Sequence, residues 1–138
     1  MSEQQNLEVV RKGYEAFGRG DINALLSLFD ENIEWVSPGP PEVPTAGTRR
    51  GLQAVGEFFK TLNELLEFTR FDAKEFVAQG DRVIVLGEDT ARVKATGKVL
   101  EGAWAHVFTL KNGKVVSFQE YSDMSPMVAE LRAAAARA

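Results

Sequence analysis

His106, the sole histidine of this 138-residue chain, and Glu120 are the residues whose types and spacing allow chemistry. They stand on either side of Lys111-Asn112-Gly113, the turn of a hairpin predicted from Val99–Leu110 and Lys114–Ser122. With a three-residue loop and Gly113 in the left-handed position, Leu110 pairs with Lys114. His106 then faces Phe118, Trp104 faces Glu120, and imidazole and carboxyl share one face about 5–7 Å apart on a diagonal. A two-residue Asn-Gly loop shifts the register by one and separates them; the three-residue loop keeps more aromatic side chains together. A carboxyl among Trp104, Phe118 and Trp35 loses hydration, which raises its pKa, while a protonated imidazole beside it works the other way. Such a pair can exchange a proton near neutral pH, as general acid–base catalysis requires. It also reads as a hydrogen-bonded pair filling a dry interior.

The rest of the composition narrows the choice. The chain has no cysteine, which removes disulfides, thiolate nucleophiles and cysteine-bound zinc, and its single histidine removes two-histidine metal motifs within one chain. Only Glu88, Asp89 or Asp123 remain to complete a metal site, so neither metal nor cofactor is expected. Sixteen basic against twenty acidic residues leave a formal charge of −4, which argues against nucleic-acid binding. No apolar run approaches the roughly 20 residues of a membrane span, and the start MSEQQNLEVV lacks signal-peptide character. A cytoplasmic protein is the expectation.

The elements that must position the pair follow from periodicity. Leu7, Val10, Tyr14 and Phe17 recur at helical spacing from a cap at Ser2, and Gly18-Arg19-Gly20 ends that helix. Asp21 caps a second, short helix. Asn32–Ser37 reads as a strand with Ile33, Trp35 and Ser37 on one face. Four of the five prolines fall in Pro38–Pro44, making Pro38–Gly51 a stiff connection beside the site. A third helix carries Leu52, Val55, Phe58, Phe59 and Leu62. The period then changes to two: Phe71, Ala73, Glu75 and Val77 on one face, a turn at Gly80-Asp81, and a strand from Arg82 to Lys94 on which either Glu88 or Asp89 points inward. The tail Met124–Ala138 is helix-prone. One α+β domain over residues 1–138 is predicted, with three N-terminal helices packed in a curved, mixed, mostly antiparallel sheet around a cavity.

The strings YEAFGRGDINALLSLFDENIEWVSPGP and HVFTLKNGKVVSFQEYSDMS resemble the nuclear-transport-factor-2-like superfamily, and within it the SnoaL-like branch of polyketide cyclases and ketosteroid-isomerase-like proteins. The resemblance spans roughly Leu7 to Leu131 and implies the cone-shaped fold and a homodimer through the outer sheet face, where Val107 and Val115 need cover. Ketosteroid isomerases place a tyrosine, a base and a second aspartate where this chain has Gly13 (beside Tyr14), Ser37 and His106, so steroid isomerisation is not implied. Limonene-type epoxide hydrolases place their water-activating residue at Glu120 and their water-holding pair at Trp35 and Ser37. Their middle-strand arginine and aspartate fall near Leu86 and Glu88, where the arginine is missing, which leaves epoxide hydrolysis a remote alternative.

SnoaL-like cyclases need only one pocket carboxyl. The resemblance therefore implies a cofactor-free isomerase or cyclase acting on a small hydrophobic carbonyl compound, with Glu120 and His106 catalytic and Tyr14, Trp35, Ser37, Phe59, Glu88, Trp104 and Phe118 binding substrate. A non-catalytic ligand-binding or dimerisation module is the alternative.

Overall fold

The computed structural model describes residues 2–137; Ala138, the end of the predicted tail, lies outside them. Helix α1 (Glu3–Gly18) starts at a capping box in which Ser2 Oγ accepts from the Gln5 amide and Gln5 Oε1 accepts from the Ser2 amide. Helix α2 (Ile22–Leu26) is capped by Asp21, whose Oδ1 accepts from the Ala24 amide at 3.0 Å. Strands β1 (Phe29–Ser37) and β2 (Gly47–Arg50) precede helix α3 (Leu52–Leu65). Then come β3 (Leu66–Gln79), β4 (Arg82–Val93), β5 (Val99–Lys111), β6 (Lys114–Ser122) and helix α4 (Ser125–Arg137).

The six strands form one sheet in the order β2-β1-β6-β5-β4-β3, with β1 parallel to β6 and every other pair antiparallel. Two features differ from expectation. The helices are not three gathered at the N-terminus, because β1 and β2 come before α3 and a fourth helix closes the chain. The sheet is open rather than wrapped into a cone, ending at β2 on one edge and β3 on the other. The unforeseen β2 lies inside the proline-rich connection. There Arg49 donates to the Thr45 and Pro44 carbonyls at 2.9 and 3.0 Å and lies over the Phe58 ring, fastening the loop to α3.

The core forms between the helices and one sheet face, where Val10, Val55, Phe58, Ile33, Val83, Val85 and Phe108 are buried together. The strand irregularities decide which residues join it. In β3 the register against β4 slips at Lys74. Phe71 and Ala73 therefore face the core before the slip, and Phe76 and Ala78 after it, leaving Val77 exposed instead of sharing Phe71's face. In the last hairpin Asn112 and Gly113 both have positive φ, at 52° and 79°, so the loop has two residues. A bulge at Val116, between the pairs Leu110↔Val115 and Thr109↔Ser117, adds a second single-residue shift and restores the facing pattern. It also turns Val115 into the core, 2% exposed, so Val115 is no part of an outer face. The outer face does expose Val77, Ile84, Leu86 and Tyr121.

No helix among the described residues is long and apolar enough to cross a membrane. Gly113→Ala, which forces a side chain into the left-handed region of this tight loop, is expected to destabilise the fold by about 1–2 kcal/mol, read as a lower urea midpoint at an unchanged slope.

Candidate functional site

The corrected register sets His106 directly opposite Glu120, Trp104 opposite Ser122 and Phe108 opposite Phe118. Imidazole and carboxyl are thus nearest cross-strand neighbours rather than a diagonal pair. Parallel pairing of Trp35 with Phe118 and Val36 with Gln119 brings Ser37 to the same level. The inward side chains of these pairs, Val36 and Gln119 excepted, line a cavity of about 180 Å³ between α1, α3, the start of α4 and the sheet.

Tyr14, which α1 presents on its inward stripe, reaches across this cavity: its hydroxyl lies 2.7 Å from His106 Nδ1. Burial pushes the His106 pKa down to about 3 and raises that of Tyr14 far above its usual value, with Glu120 adding to the latter. The phenol thus keeps its proton and the imidazole is neutral. Among the described residues the Tyr14 hydroxyl has no other acceptor for its proton, so the tautomer that satisfies it has Tyr14 donating to Nδ1 and the imidazole proton on Nε2. The rings of Trp104 and His106 stack at 3.9 Å and those of Trp35 and Phe118 at 3.7 Å.

Among the described residues no cation therefore balances Glu120. Its pKa is raised, first by burial, with the charge of Asp89 adding to the shift; a hydrogen bond from Ser122 Oγ at 2.8 Å opposes it. Of the two influences weighed from sequence, desolvation wins.

Among the predicted binding residues, Tyr14, Trp35, Ser37, Phe59, Trp104 and Phe118 line the cavity together with His106 and Glu120. Glu88 does not. It lies on the other face of β4, 2.8 Å from Lys74 and 3.8 Å from Arg70, which hold its carboxyl below the usual range. Asp89 takes the inward place, continuing the row Val83, Val85 and Gly87, because β4 runs without a bulge. Burial raises Asp89 to about 6, opposed by Arg70 and by the nearby indole of Trp104. Gly87 is the position that seats this indole: a Cβ there would lie 2.3 Å from the ring and 2.4 Å from the Asp72 carbonyl.

Three cavity-lining groups are left without partners: the indole nitrogens of Trp35 and Trp104 and the hydroxyl of Ser37, each on a residue 5% exposed. Buried donors of this kind are ordinarily paired, so they mark where a bound molecule or water makes its polar contacts. Among the described residues no three His, Asp or Glu side chains converge as a metal site needs.

The SnoaL-like domain family matches residues 10–118. The chain belongs to this family. A curated relative, an uncharacterized protein of Mycobacterium tuberculosis, is 26% identical over 121 residues, 88% of this chain and 91% of its own. An NTF2-like protein from Burkholderia xenovorans LB400 has the same fold at a TM-score of 0.85 and 40% identity, covering 94% of this chain and 97% of that one. TerC, co-crystallized with polyporic acid, superposes at a TM-score of 0.83 and 27% identity over 93% of this chain and 98% of its own. This SnoaL-like chain thus combines the fold of the nuclear-transport-factor-2-like superfamily with a hydrophobic pocket suited to a small molecule.

Two outcomes follow from the site. Nitrogen-15 NMR of His106 is expected to show a neutral imidazole protonated at Nε2 from about pH 8 down to about pH 5. Gly87→Ala is expected to displace the Trp104 indole and to destabilise the protein by about 1–3 kcal/mol, read by tryptophan fluorescence and urea unfolding.

Proposed function

We propose that this SnoaL-like protein binds a small hydrophobic carbonyl compound and moves a proton beside its carbonyl without a cofactor, as an isomerase or cyclase. One observation carries this reading: a carboxyl of raised pKa, Glu120, stands opposite a neutral imidazole, His106, braced by Tyr14 inside an aromatic cavity. In its ionised form Glu120 removes the proton from the carbon next to the carbonyl. The C–H bond breaks, an O–H bond forms on Glu120, and the electron pair moves onto the carbonyl oxygen. The His106 Nε2–H donates to that oxygen without having to ionise, and Glu120 then returns the proton to a carbon of the conjugated system. Desolvation raises the pKa of the base, which strengthens it as a proton acceptor.

Trp35, Phe59, Trp104 and Phe118 supply the apolar walls, and Ser37 supplies a free hydroxyl. That TerC was co-crystallized with polyporic acid supports a small organic ligand on a fold of this kind. A second reading, a binding module without turnover, draws support from the hydrogen bond that Glu120 already accepts from Ser122. The exposed Val77, Ile84 and Leu86 support pairing of two copies through the outer sheet face, which sedimentation would report as a dimer mass.

β-Tetralone, a compact ketone with acidic hydrogens next to its carbonyl, tests the main reading in heavy water. Wild-type protein is expected to accelerate deuterium uptake at those carbons, seen by proton NMR, and Glu120→Gln to lose about 100-fold or more of that acceleration with ketone binding kept. Binding without any acceleration by the wild type would favour the module.

A further inference from the structure

Asp89 is a cavity carboxyl that this mechanism leaves unused. It is half-buried, and the nearest guanidinium, that of Arg70, is spent on Asp72 at 3.0 Å and Glu88 at 3.8 Å. Asp89 itself forms no ion pair among the described residues. The Trp104 indole N–H beside it is near enough to lower its pKa yet closes no hydrogen bond of regular geometry. The Trp104 indole N–H, buried without a partner beside a half-buried carboxylate, is a poor device for stability, since burying an unpaired polar group is unfavourable. Both line the cavity that holds Glu120.

The sheet register fixes their relation. The row Gly87–Trp104–Ser122 lies between the level of Glu120 and His106 and that of Asp89 and Gly102. The two carboxyls thus flank the Trp104 indole, and Gly87 lets that indole lie flat against β4.

We propose that Asp89 is a second proton-transfer group of this cavity, acting with Glu120 on the same bound carbonyl compound from the other side of the Trp104 indole. The proposal rests on the proton-transfer reading above and adds a residue to it. Like charges in one dry cavity resist ionising together, so the working state holds one proton between the two carboxyls. The ionised one takes a proton from the carbon next to the carbonyl: a C–H bond breaks and a carboxyl O–H bond forms. The protonated one delivers its proton at another carbon of the conjugated system: its O–H bond breaks and a C–H bond forms. The substrate ends as an isomer, the carboxyls have exchanged states, and exchange with solvent resets them without oxidant or reductant. With the two carboxyls on one sheet face, one level to either side of the Trp104 indole, a proton can leave at one carbon and arrive at another while the ligand stays in place.

The charged and titratable groups around Asp89 are Arg70 on β3, Glu101 on β5, Glu120 on β6 and Asp123 after β6, with the neutral His106 and Tyr14 behind the indole. The test repeats the β-tetralone deuterium uptake across pH with wild type, Asp89→Asn and Asp89→Glu. Removing the Asp89 charge lets Glu120 ionise at lower pH. Asp89→Asn is therefore expected to lose at least about tenfold of the acceleration and to move the acidic limb of the profile downward, with Asp89→Glu recovering most of both. Acceleration within about twofold of wild type and an unmoved limb in Asp89→Asn would overturn the role of Asp89 alone. No acceleration by the wild type would overturn it together with the reading beneath it.

Thermal unfolding supplies a readout independent of activity. The Asp89 pKa is raised from 3.8 to about 6 in the folded protein, so its contribution favours folding below the unfolded value and is lost as pH rises through about 6. Asp89→Asn is expected to raise Tm at about pH 7, with the gain shrinking toward about pH 4. A lowered Tm at neutral pH would show Asp89 serving the fold and would overturn the proposal.

Discussion

The 2.7 Å hydrogen bond between the Tyr14 hydroxyl and His106 Nδ1 joins α1 to β5 across the cavity and helps enclose His106, whose burial sets the electrostatics of the site. It occupies the imidazole nitrogen that would otherwise be free to take a proton, and burial makes the imidazolium unfavourable in any case. The cavity wall consequently contains no histidine cation. Burial shifts both carboxyls placed there upward, opposed at Glu120 by the Ser122 hydrogen bond and at Asp89 by the charge of Arg70 and the Trp104 indole. A protonated His106 would reverse that situation, holding Glu120 ionised and weakening it as a base.

Secondary structure was legible wherever the period was clean. The caps at Ser2 and Asp21, the apolar stripe of α3 and the turn at Gly80-Asp81 all read from residue type. What escaped were features of a single residue. The bulge at Val116 and the two-residue Asn112-Gly113 loop each shift the register by one, and their sum preserves which face His106 and Glu120 share while changing their partners. The facing assignment was therefore reached by way of the wrong pairs. The slip at Lys74 had no such compensation, so Val77 was placed on the wrong face. Strand β2 was hidden because its residues, Gly47–Arg50, carry no apolar alternation and sit at a sheet edge beside prolines.

The site divides along the same line. Trp35, Trp104, Phe118 and Phe59 were readable as walls because aromatic residues on inward strand or helix positions have few other places to go. Asp89 against Glu88 was undecidable until the parity of β4 was known, although the alternation Val83, Val85, Gly87 points to the aspartate if no bulge intervenes. The Tyr14–His106 bond spans 92 residues of sequence. Only the packing of α1 on the sheet reveals it.

Membership of the SnoaL-like family accounts for the cavity but not for its chemistry, since one fold hosts unrelated reactions. The distribution of unmet polar groups says more. In a core built only for stability, Trp35, Trp104 and Ser37 would either find acceptors or be replaced by apolar residues of similar volume, because an unpaired buried donor works against folding. Here they are concentrated around the same space as two carboxyls of raised pKa, while the ion pairs of Glu88, Glu34 and Glu42 lie at the surface. Stability given up at these polar groups is offset by the aromatic packing of the same wall, where Trp35 and Phe118 stack at 3.7 Å. A wall of this kind, apolar apart from a few polar groups aimed inward, is suited to a small molecule.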